Sequence, residues 1–198
     1  MAHYFDSKPE KKDVRRTLEF KINGKSIALE SSSNVFSKNG VDLGSEVLLQ
    51  TLLAKTITGK GLDVGCGYGV IAITLLLLDK NISHMTCLDV NSRAIELTKL
   101  NCSNHKLEPR MTILQGDAFK KIEGKFDFIV SNPPIRVGKK LLYGMYQSLK
   151  SNLNEGGSIY LVIKKSLGAE SHLKYLSSIY DSASVISKKK GYYIIEVK

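Results

Sequence analysis

Apolar side chains recur along the chain in two patterns, one typical of strands and one typical of helices. Near the N-terminus, residues 18–22 and 26–29 alternate apolar and polar positions, as half-buried strands do. The Asn23-Gly24 step between them favours a tight hairpin turn. From Ser45, apolar residues return at helical spacing up to residue 53, which predicts a helix.

Short apolar runs and longer helical patterns then alternate from residue 61 to the C-terminus. This alternation predicts a mainly parallel sheet with helices on both of its faces. The predicted strands are 61–64, 83–88, 111–114, 126–130 and 158–163, and the predicted helices are 69–78, 91–102, 139–149 and 170–179. Residues 183–187 and 192–197 predict a closing antiparallel hairpin around Lys190-Gly191, so we expect a mixed sheet in an α/β fold.

These elements indicate one domain with an N-terminal extension. A chain of 198 residues can bury one substantial core. We assign residues 1–40, which begin with a charged arm, to the extension with its β-hairpin, and 41–198 to the α/β domain. The N-terminal residues lack the apolar centre of a signal peptide, and the longest apolar stretch, 70–78, is too short to span a bilayer. We therefore expect no membrane contact.

Charge and cysteine content narrow the class of protein. The formal net charge of +10 favours an anionic partner such as nucleic acid, although a soluble protein can simply be basic. The three cysteines, Cys66, Cys87 and Cys102, form neither a disulfide framework nor a metal-binding pair, so we expect a cytoplasmic protein. The four histidines show no metal spacing, and we propose neither a metal nor a histidine base.

Polar residues cluster at the carboxyl ends of successive predicted strands, where open α/β sheets bind ligands. Asp63 lies near the end of the first of these strands and the glycines follow it, and Asp89, Asp117 and Asn132 come at the ends of later ones. The positional agreement is stronger evidence for a ligand site than any one of these residues. Taken singly, Asp89 can also be interpreted as a helix-capping residue, and Asp117 reads equally as a turn residue.

The glycine loop Gly65-Cys66-Gly67-Tyr68-Gly69 lets backbone approach a ligand and leads into a helix N-terminus, which suits an anion such as a carboxylate. Dinucleotides and S-adenosylmethionine both use such loops, and a tight turn alone can also explain the glycines. The dinucleotide pattern needs a small residue where Val70 stands, which counts against a nicotinamide-dependent oxidoreductase.

The run Asn132-Pro133-Pro134-Ile135 is the sharpest chemical signal. The two prolines fix the backbone and remove two N–H donors. The Asn132 side-chain oxygen and the Pro133 carbonyl can then accept both hydrogens of one planar amino group and direct its lone pair at a methyl donor. The plainer interpretation, a loop that ends a strand, loses weight because the glycine loop lies upstream.

The chain resembles the class I methyltransferases, and within them the small-domain ribosomal RNA guanine-N2 methyltransferases. The resemblance spans residues 35–198 and is most specific in the run from Ser131 to Lys139. It rests on Val35-Phe36-Ser37, Val41-Asp42-Leu43-Gly44-Ser45, Leu62-Asp63-Val64-Gly65-Cys66-Gly67-Tyr68-Gly69, Ser131-Asn132-Pro133-Pro134-Ile135-Arg136-Val137-Gly138-Lys139 and Lys189-Lys190-Gly191-Tyr192-Tyr193. It implies a Rossmann-like fold with a seven-stranded mixed sheet whose last two strands are antiparallel.

This resemblance also implies S-adenosylmethionine as cofactor, guanine N2 in ribosomal RNA as target, and a monomer or weak dimer that meets RNA or a ribosomal subunit. The expected cofactor residues are Asp63, Gly65, Cys66, Gly67, Gly69, Asp89, Val90, Asp117, Ala118 and Asn132. The expected catalytic residues are Asn132, Pro133, Pro134 and Ile135. The expected substrate contacts are Phe36, Lys38, Arg136 and Lys139.

Ile135 separates the chain from adenine and glutamine methylators, which usually carry an aromatic residue after the two prolines. Ile135 cannot stack on a base, and Phe36 is the candidate replacement. The lysine run 188–190 reads equally as a phosphate contact and as protection of a sheet edge. Protein-glutamine N5 methylation and a module that only binds cofactor or RNA remain alternatives.

Overall fold

Nine strands and five α-helices follow each other as the sequence pattern predicts, in a computed structural model that describes residues 14–33, 35, 40–117 and 122–198. The strands are β1 (Arg15–Ile22), β2 (Lys25–Ser32), β3 (Gly59–Val64), β4 (Ile82–Asp89), β5 (Met111–Gln115), β6 (Phe126–Ser131), β7 (Leu153–Lys164), β8 (Ala183–Lys189) and β9 (Tyr192–Val197). The α-helices are α1 (Leu43–Leu53), α2 (Val70–Leu78), α3 (Ser92–Asn104), α4 (Lys139–Leu149) and α5 (Ala169–Ile179).

Seven of the strands form one sheet in the order β5-β4-β3-β6-β7-β9-β8, which confirms the predicted Rossmann-like fold. Neighbours from β5 to β7 are parallel, and β9 is antiparallel to both β7 and β8. The strand order reverses between β3 and β6. A cleft opens at such a reversal, because the connections on its two sides leave the sheet in opposite directions.

Helices cover both faces of the sheet. One core contains Leu48 of α1, Ile73 of α2 and Leu97 of α3. The other contains Tyr146 of α4 and Leu176 of α5. Helix α2, predicted over residues 69–78, has an almost continuously apolar sequence, and its residues 70–76 are all buried.

The β1–β2 hairpin docks on α3. Asn101, fully buried in α3, accepts from the Glu30 N–H at 2.7 Å and donates to the Glu30 carbonyl at 2.9 Å. These bonds provide partners for backbone N–H and C=O groups on the edge of β2 that does not pair with β1. Apolar residues of the hairpin, Ile22, Ile27 and Leu29, join the same core as helices α1 to α3. The division of the chain at residue 40 stays a prediction.

Strand β7 is longer than its prediction at both ends. It begins at Leu153 instead of residue 158, and its register with β6 is irregular between Phe126 and Phe128. Gly157 lies in this irregular part, where a side chain would come within 3.0 Å of the Asp127 carbonyl oxygen. The glycine therefore permits close backbone approach inside a strand, although it is more typical of turns.

The three cysteines are free and buried. None of the helices in the described ranges is long and apolar enough to cross a membrane.

Candidate active site

A cleft opens at the carboxyl ends of β3, β4 and β6, where the strand order reverses. Its lining brings together five of the residues expected from sequence, Gly65, Asp89, Val90, Asp117 and Pro134. It also contains residues that sequence reasoning did not single out, namely Val64, Leu88, Gly116, Ser131 and Met145. Hydrophobic side chains interleaved with two carboxylates suit a ligand with apolar and hydroxyl-bearing parts.

The glycine loop is held against the end of β4. The N–H groups of Gly65 and Cys66 both donate to the Leu88 carbonyl, at 2.8 and 3.1 Å. Gly67 has a φ of +59°, and a side chain there would meet nothing within 4 Å, so its backbone is open to close approach by a ligand. Gly69 has a φ of +87° and begins α2, where a side chain would lie 2.9 Å from the Ile73 Cδ1 atom.

Helix α3 fixes the loop from the other side, which sequence reasoning missed. The Thr98 hydroxyl donates to the Gly67 carbonyl at 2.8 Å. The Asn101 amide donates to the Tyr68 carbonyl at 2.9 Å while it also holds the N-terminal hairpin. No local pattern indicates these roles, because loop and helix residues lie more than 30 positions apart, 31 for the Thr98 bond and 33 for the Asn101 bond.

Asp63 is a fully buried carboxylate beneath the loop. One oxygen, Oδ2, accepts from the Ala72 N–H at 3.3 Å, and the other, Oδ1, has no hydrogen-bond partner among the described residues. Burial raises the pKa of Asp63 to about 7, with a smaller contribution from the Asp89 charge, although the Ala72 bond opposes it. Asp63 does not line the cleft itself but directly precedes Val64 and Gly65, which do, so an ammonium group or an ordered water that reached Oδ1 from the cleft would complete its shell.

Asp89 ends β4 and lines the cleft. Its Oδ2 accepts from the Gly67 N–H and its Oδ1 from the Asn91 N–H, both at 2.9 Å. Burial raises the pKa of Asp89 above its ordinary value, and the backbone hydrogen bonds offset only part of that rise. The Val90 N–H also bonds this carboxylate, so three backbone donors use part of its acceptor capacity and the remainder can accept from a ligand hydroxyl group.

Asp117 lies on the next strand connection, at the same cleft. The N–H of Gly116 donates to the Asp89 carbonyl at 2.9 Å, which brings the ends of β4 and β5 together. Ala118, expected to offer its N–H beside Asp117, lies outside the described residues.

The orientation of the Asn132 amide is determined by its neighbours. Its Nδ2 lies 2.8 Å from Asp42 Oδ2 and 3.0 Å from the Ser45 Oγ. An ionised carboxylate only accepts, so the amide nitrogen must be the atom that faces Asp42. With the nitrogen committed to Asp42 and Ser45, the Oδ1 atom is the part of the side chain left to accept a hydrogen bond from a substrate.

Asp42 holds this arrangement from the start of α1. It is the N-cap of the helix, and its Oδ2 accepts from the Ser45 N–H at 3.1 Å. A carboxylate N-cap with a serine in the first helical turn is a recognisable helix-start pattern, but only the fold brings it to Asn132. At the other side of Asn132, the buried Ser131 hydroxyl donates to the Val64 carbonyl at 2.7 Å and ties β6 to β3.

The residues after Asn132 separate into buried and exposed groups. Pro133 is buried, and Ile135 packs against the core under α4 and α5. Arg136 and Lys139 are exposed beside the cleft, where phosphates of a polyanion can reach them. Phe36 and Lys38, the other expected substrate contacts, lie outside the described residues.

The lysine run 188–190 makes contacts within the protein. The Lys189 ammonium donates to the Gln50 side-chain oxygen at 2.7 Å, and Lys190 lies 3.7 Å from the Glu46 carboxylate. Lys188 lies over the Tyr193 ring, 4.9 Å from its centroid. These contacts are consistent with protection of the β8 edge, and they place the run beside α1.

Within the described ranges, no group of three or more His, Cys, Asp or Glu side chains is placed to hold a metal ion. The described residues at and beside the cleft offer carboxylates, one oriented amide and backbone groups. Such a set binds, orients and polarises a ligand, and it contains no histidine placed as a base.

A family model for the methyltransferase small domain matches residues 26–196. YbxB of Bacillus subtilis is 38% identical over 200 residues, which cover 99% of this chain and 98% of that protein. Ribosomal RNA small subunit methyltransferase C of Salmonella paratyphi B is 34% identical over 148 residues. That match covers 73% of this chain but 42% of the relative, so the chain spans less than half of that protein's length.

Solved structures share the fold. The RsmC structure of T. thermophilus, a 16S rRNA N2 G1207 methyltransferase in complex with AdoMet and guanosine, has a TM-score of 0.79 at 22% identity, over 96% of this chain and 52% of that chain. The ribosomal protein L11 methylase of Lactobacillus delbrueckii has a TM-score of 0.67 at 17% identity, over 83% of this chain and 80% of that chain.

Proposed function

Since the chain belongs to the family of methyltransferase small domains and is an S-adenosylmethionine-dependent methyltransferase, we propose that it methylates the exocyclic N2 of a guanine in ribosomal RNA. The observation that carries the proposal is the Asn132 amide, whose nitrogen is committed to Asp42 and Ser45. The ribosomal RNA target is supported by the sequence similarity to ribosomal RNA small subunit methyltransferase C.

The cleft residues would hold the cofactor by complementary chemistry. S-adenosylmethionine supplies a methyl group on a sulfonium, an α-ammonium group, two ribose hydroxyls and an adenine. Oδ1 of Asp63 lacks a partner among the described residues and suits the ammonium group, while Asp89 suits the ribose hydroxyls. Asp117, with the neighbouring Ala118 N–H, would read the adenine edge.

Asn132 would orient the target amine for transfer. A guanine N2 amino group has its lone pair delocalised into the ring, so it is a weak nucleophile. Acceptance of its two hydrogens by Asn132 Oδ1 and the Pro133 carbonyl would favour a pyramidal nitrogen with its lone pair aimed at the methyl carbon. As the N–C bond forms, the S–C bond breaks, its electron pair stays on sulfur, and the extra proton leaves the nitrogen to water.

The exposed cations beside the cleft would position the RNA. Arg136 and Lys139 lie within five residues of Pro134 and are exposed, so both would be available to phosphates near the target nucleotide. The net charge of +10 adds a general attraction for RNA. Phe36 and Lys38 complete the proposed substrate contacts.

The test is a transfer assay with labelled S-adenosylmethionine and three acceptors, namely assembled ribosomal subunits, naked ribosomal RNA and total cellular protein. We expect label in RNA, with N2-methylguanosine as the product after nuclease digestion. The Asn132→Ala variant should still bind the cofactor and transfer no label. Label confined to protein would contradict the proposal in favour of glutamine methylation, and cofactor binding without any transfer would favour a binding module.

A further inference from the structure

Three strands of the sheet continue past the end of β6, the strand that Asn132 follows. Strand β6 ends at Ser131, opposite Leu161, whereas β7 continues to Lys164. In this extended part Lys164 pairs with Tyr192, and Tyr192 pairs with Lys189 on its other side. We call these three residues, Lys164, Tyr192 and Lys189, the extended edge.

The extended edge lies on the same side of the sheet as α1, because residues paired across antiparallel strands point to one face. A side chain on Gly44, in the first turn of α1, would come within 3.0 Å of the Tyr192 ring. The Lys189 ammonium reaches Gln50 of the same helix at 2.7 Å. Lys164 lies over the Tyr192 ring, with its ammonium 6.0 Å from the centroid.

Tyr192 is therefore a neighbour of the groups that orient Asn132. A Cβ atom on Gly44 would also lie 2.9 Å from Asp42 Oδ2, which is the atom that accepts from the Asn132 amide. Burial, and then the Asp42 charge, raise the pKa of Tyr192, as expected for a phenol close to that carboxylate. The ring is partly exposed, whereas the next residue, Tyr193, is buried in the opposite core.

We propose that the extended edge is a nucleotide-binding surface, on which the Tyr192 ring stacks against a base of the RNA at Asn132 and Lys164 pairs with a phosphate. This inference rests on the proposed RNA substrate. A partly exposed aromatic ring and a lysine ammonium that can leave the ring face for a phosphate offer both contacts that single-stranded RNA needs, a stacking face and a positive charge. Ile135, which follows the two prolines, offers no ring for this purpose.

A structural role for Tyr192, as a cover over Gly44, is the competing explanation. The two explanations differ in what a substitution changes. Loss of a cover lowers thermal stability and disturbs Asp42, so it reduces kcat at any RNA concentration. Loss of a stacking face raises the KM for RNA and leaves the affinity for the cofactor unchanged.

The experiment compares Tyr192→Leu and Tyr192→Phe in steady-state methylation of ribosomal RNA, with cofactor affinity and thermal stability measured on the same preparations. We expect Tyr192→Leu to raise the KM for RNA about 5- to 100-fold, the range of one lost base stack, and Tyr192→Phe to stay within about twofold of the original protein. Equal losses in both variants, or a fall in kcat without a change in KM, would overturn the proposal.

A matched lysine pair keeps the proposal testable if Tyr192→Leu does not fold. Lys164 and Lys188 each lie over a tyrosine ring, but Lys188 covers Tyr193 on the opposite face. We expect Lys164→Ala to weaken RNA binding and to reduce its salt dependence by about one phosphate contact, with Lys188→Ala unchanged. Equal effects of the two variants would overturn the proposal.

The unsubstituted protein separates this inference from the proposed function. If it labels RNA and the Tyr192 and Lys164 variants behave as the original, the extended edge alone is refuted. If it labels no RNA at all, the proposed RNA methylation fails and this inference fails with it.

Discussion

At the scale of single residues, the Asp42 carboxylate decides which atom of the Asn132 amide can meet a substrate. Asp42 is not among the residues that line the cleft and would act through the Asn132 amide, so we regard it as a positioning residue. Its carboxylate serves two purposes at once, since it also caps α1 through the Ser45 N–H. Substitution at this position should therefore affect both stability and turnover.

We predict that Asp42→Ala lowers kcat about 10- to 100-fold, because a freely rotating amide loses its orientation. The lost N-cap should cost about 1 kcal/mol of unfolding free energy. Asp42→Asn keeps an acceptor oxygen for both bonds and should retain most of the turnover. The measurement is kcat at saturating cofactor and RNA, together with the melting temperature. Equal turnover of Asp42→Ala and the original protein would refute the positioning role.

The raised pKa of Asp63 predicts that the affinity for the cofactor depends on pH. Burial raises this pKa to about 7, so the carboxylate is largely protonated below that pH and cannot pair with the cofactor ammonium. We expect the affinity for S-adenosylhomocysteine, which carries the same ammonium group, to rise by up to about tenfold per pH unit below 7 and to level off above it. Calorimetric titration at several pH values measures this dependence.

The control for that titration is Asp63→Asn, which has nearly the same shape and no charge to titrate. Its affinity should be weaker and independent of pH across the same range. The raised pKa of Asp63 also determines how the stability of the free protein changes with pH. The native state holds a proton that the unfolded chain releases near 3.8, so the free protein should lose stability as the pH rises from there to about 7. A pH-independent affinity of the original protein would contradict the assigned role.

At the scale of elements, Asn101 connects three of them. From inside α3 it bonds both backbone groups of Glu30 in β2 and the Tyr68 carbonyl in the glycine loop. We predict that Asn101→Ala destabilises the fold by roughly 3 kcal/mol, because it leaves buried backbone groups without partners. It should also weaken cofactor binding, since the loop loses one of its supports.

Asn104→Ala is the matched control for Asn101→Ala, because Asn104 is exposed near the end of the same helix. Urea unfolding gives the free energy for both variants, and hydrogen exchange reports the hairpin separately. The predicted pattern is faster exchange in β2 for Asn101→Ala only. If both variants matched the original protein in stability, Asn101 would not be what holds the hairpin.

The elements themselves were predictable from sequence because each is specified by local periodicity. The hairpin follows from two alternating runs around Asn23-Gly24, and α2 from an apolar run of helical length. The early start of β7 was not predictable, since its glycines resemble a turn and only pairing with β6 makes them a strand. The Asp42–Asn132 bond joins residues 90 positions apart, so no local pattern could reveal it.

At the scale of the whole molecule, the positive charge is not confined to the site. Arg136, Lys139 and Lys140 lie beside the cleft, whereas Lys60, Lys80 and Lys125 lie near the amino ends of β3, β4 and β6, at the opposite edge of the sheet. All six side chains are exposed. The net charge alone therefore cannot say which of them meet RNA, and two triple variants with the same loss of charge can.

We predict that the combined alanine variant of Arg136, Lys139 and Lys140 reduces the slope of log affinity against log salt concentration by about 2, which is the counterion release of three phosphate contacts on single-stranded RNA. The combined variant of Lys60, Lys80 and Lys125 loses the same charge and should keep the original slope. Fluorescence anisotropy of a labelled ribosomal RNA fragment over a range of salt concentrations measures both. If the two slopes fell equally, attraction by the overall charge of +10 would explain binding. The cations beside Asn132 would then contribute no more to RNA binding than the lysines at the opposite edge of the sheet.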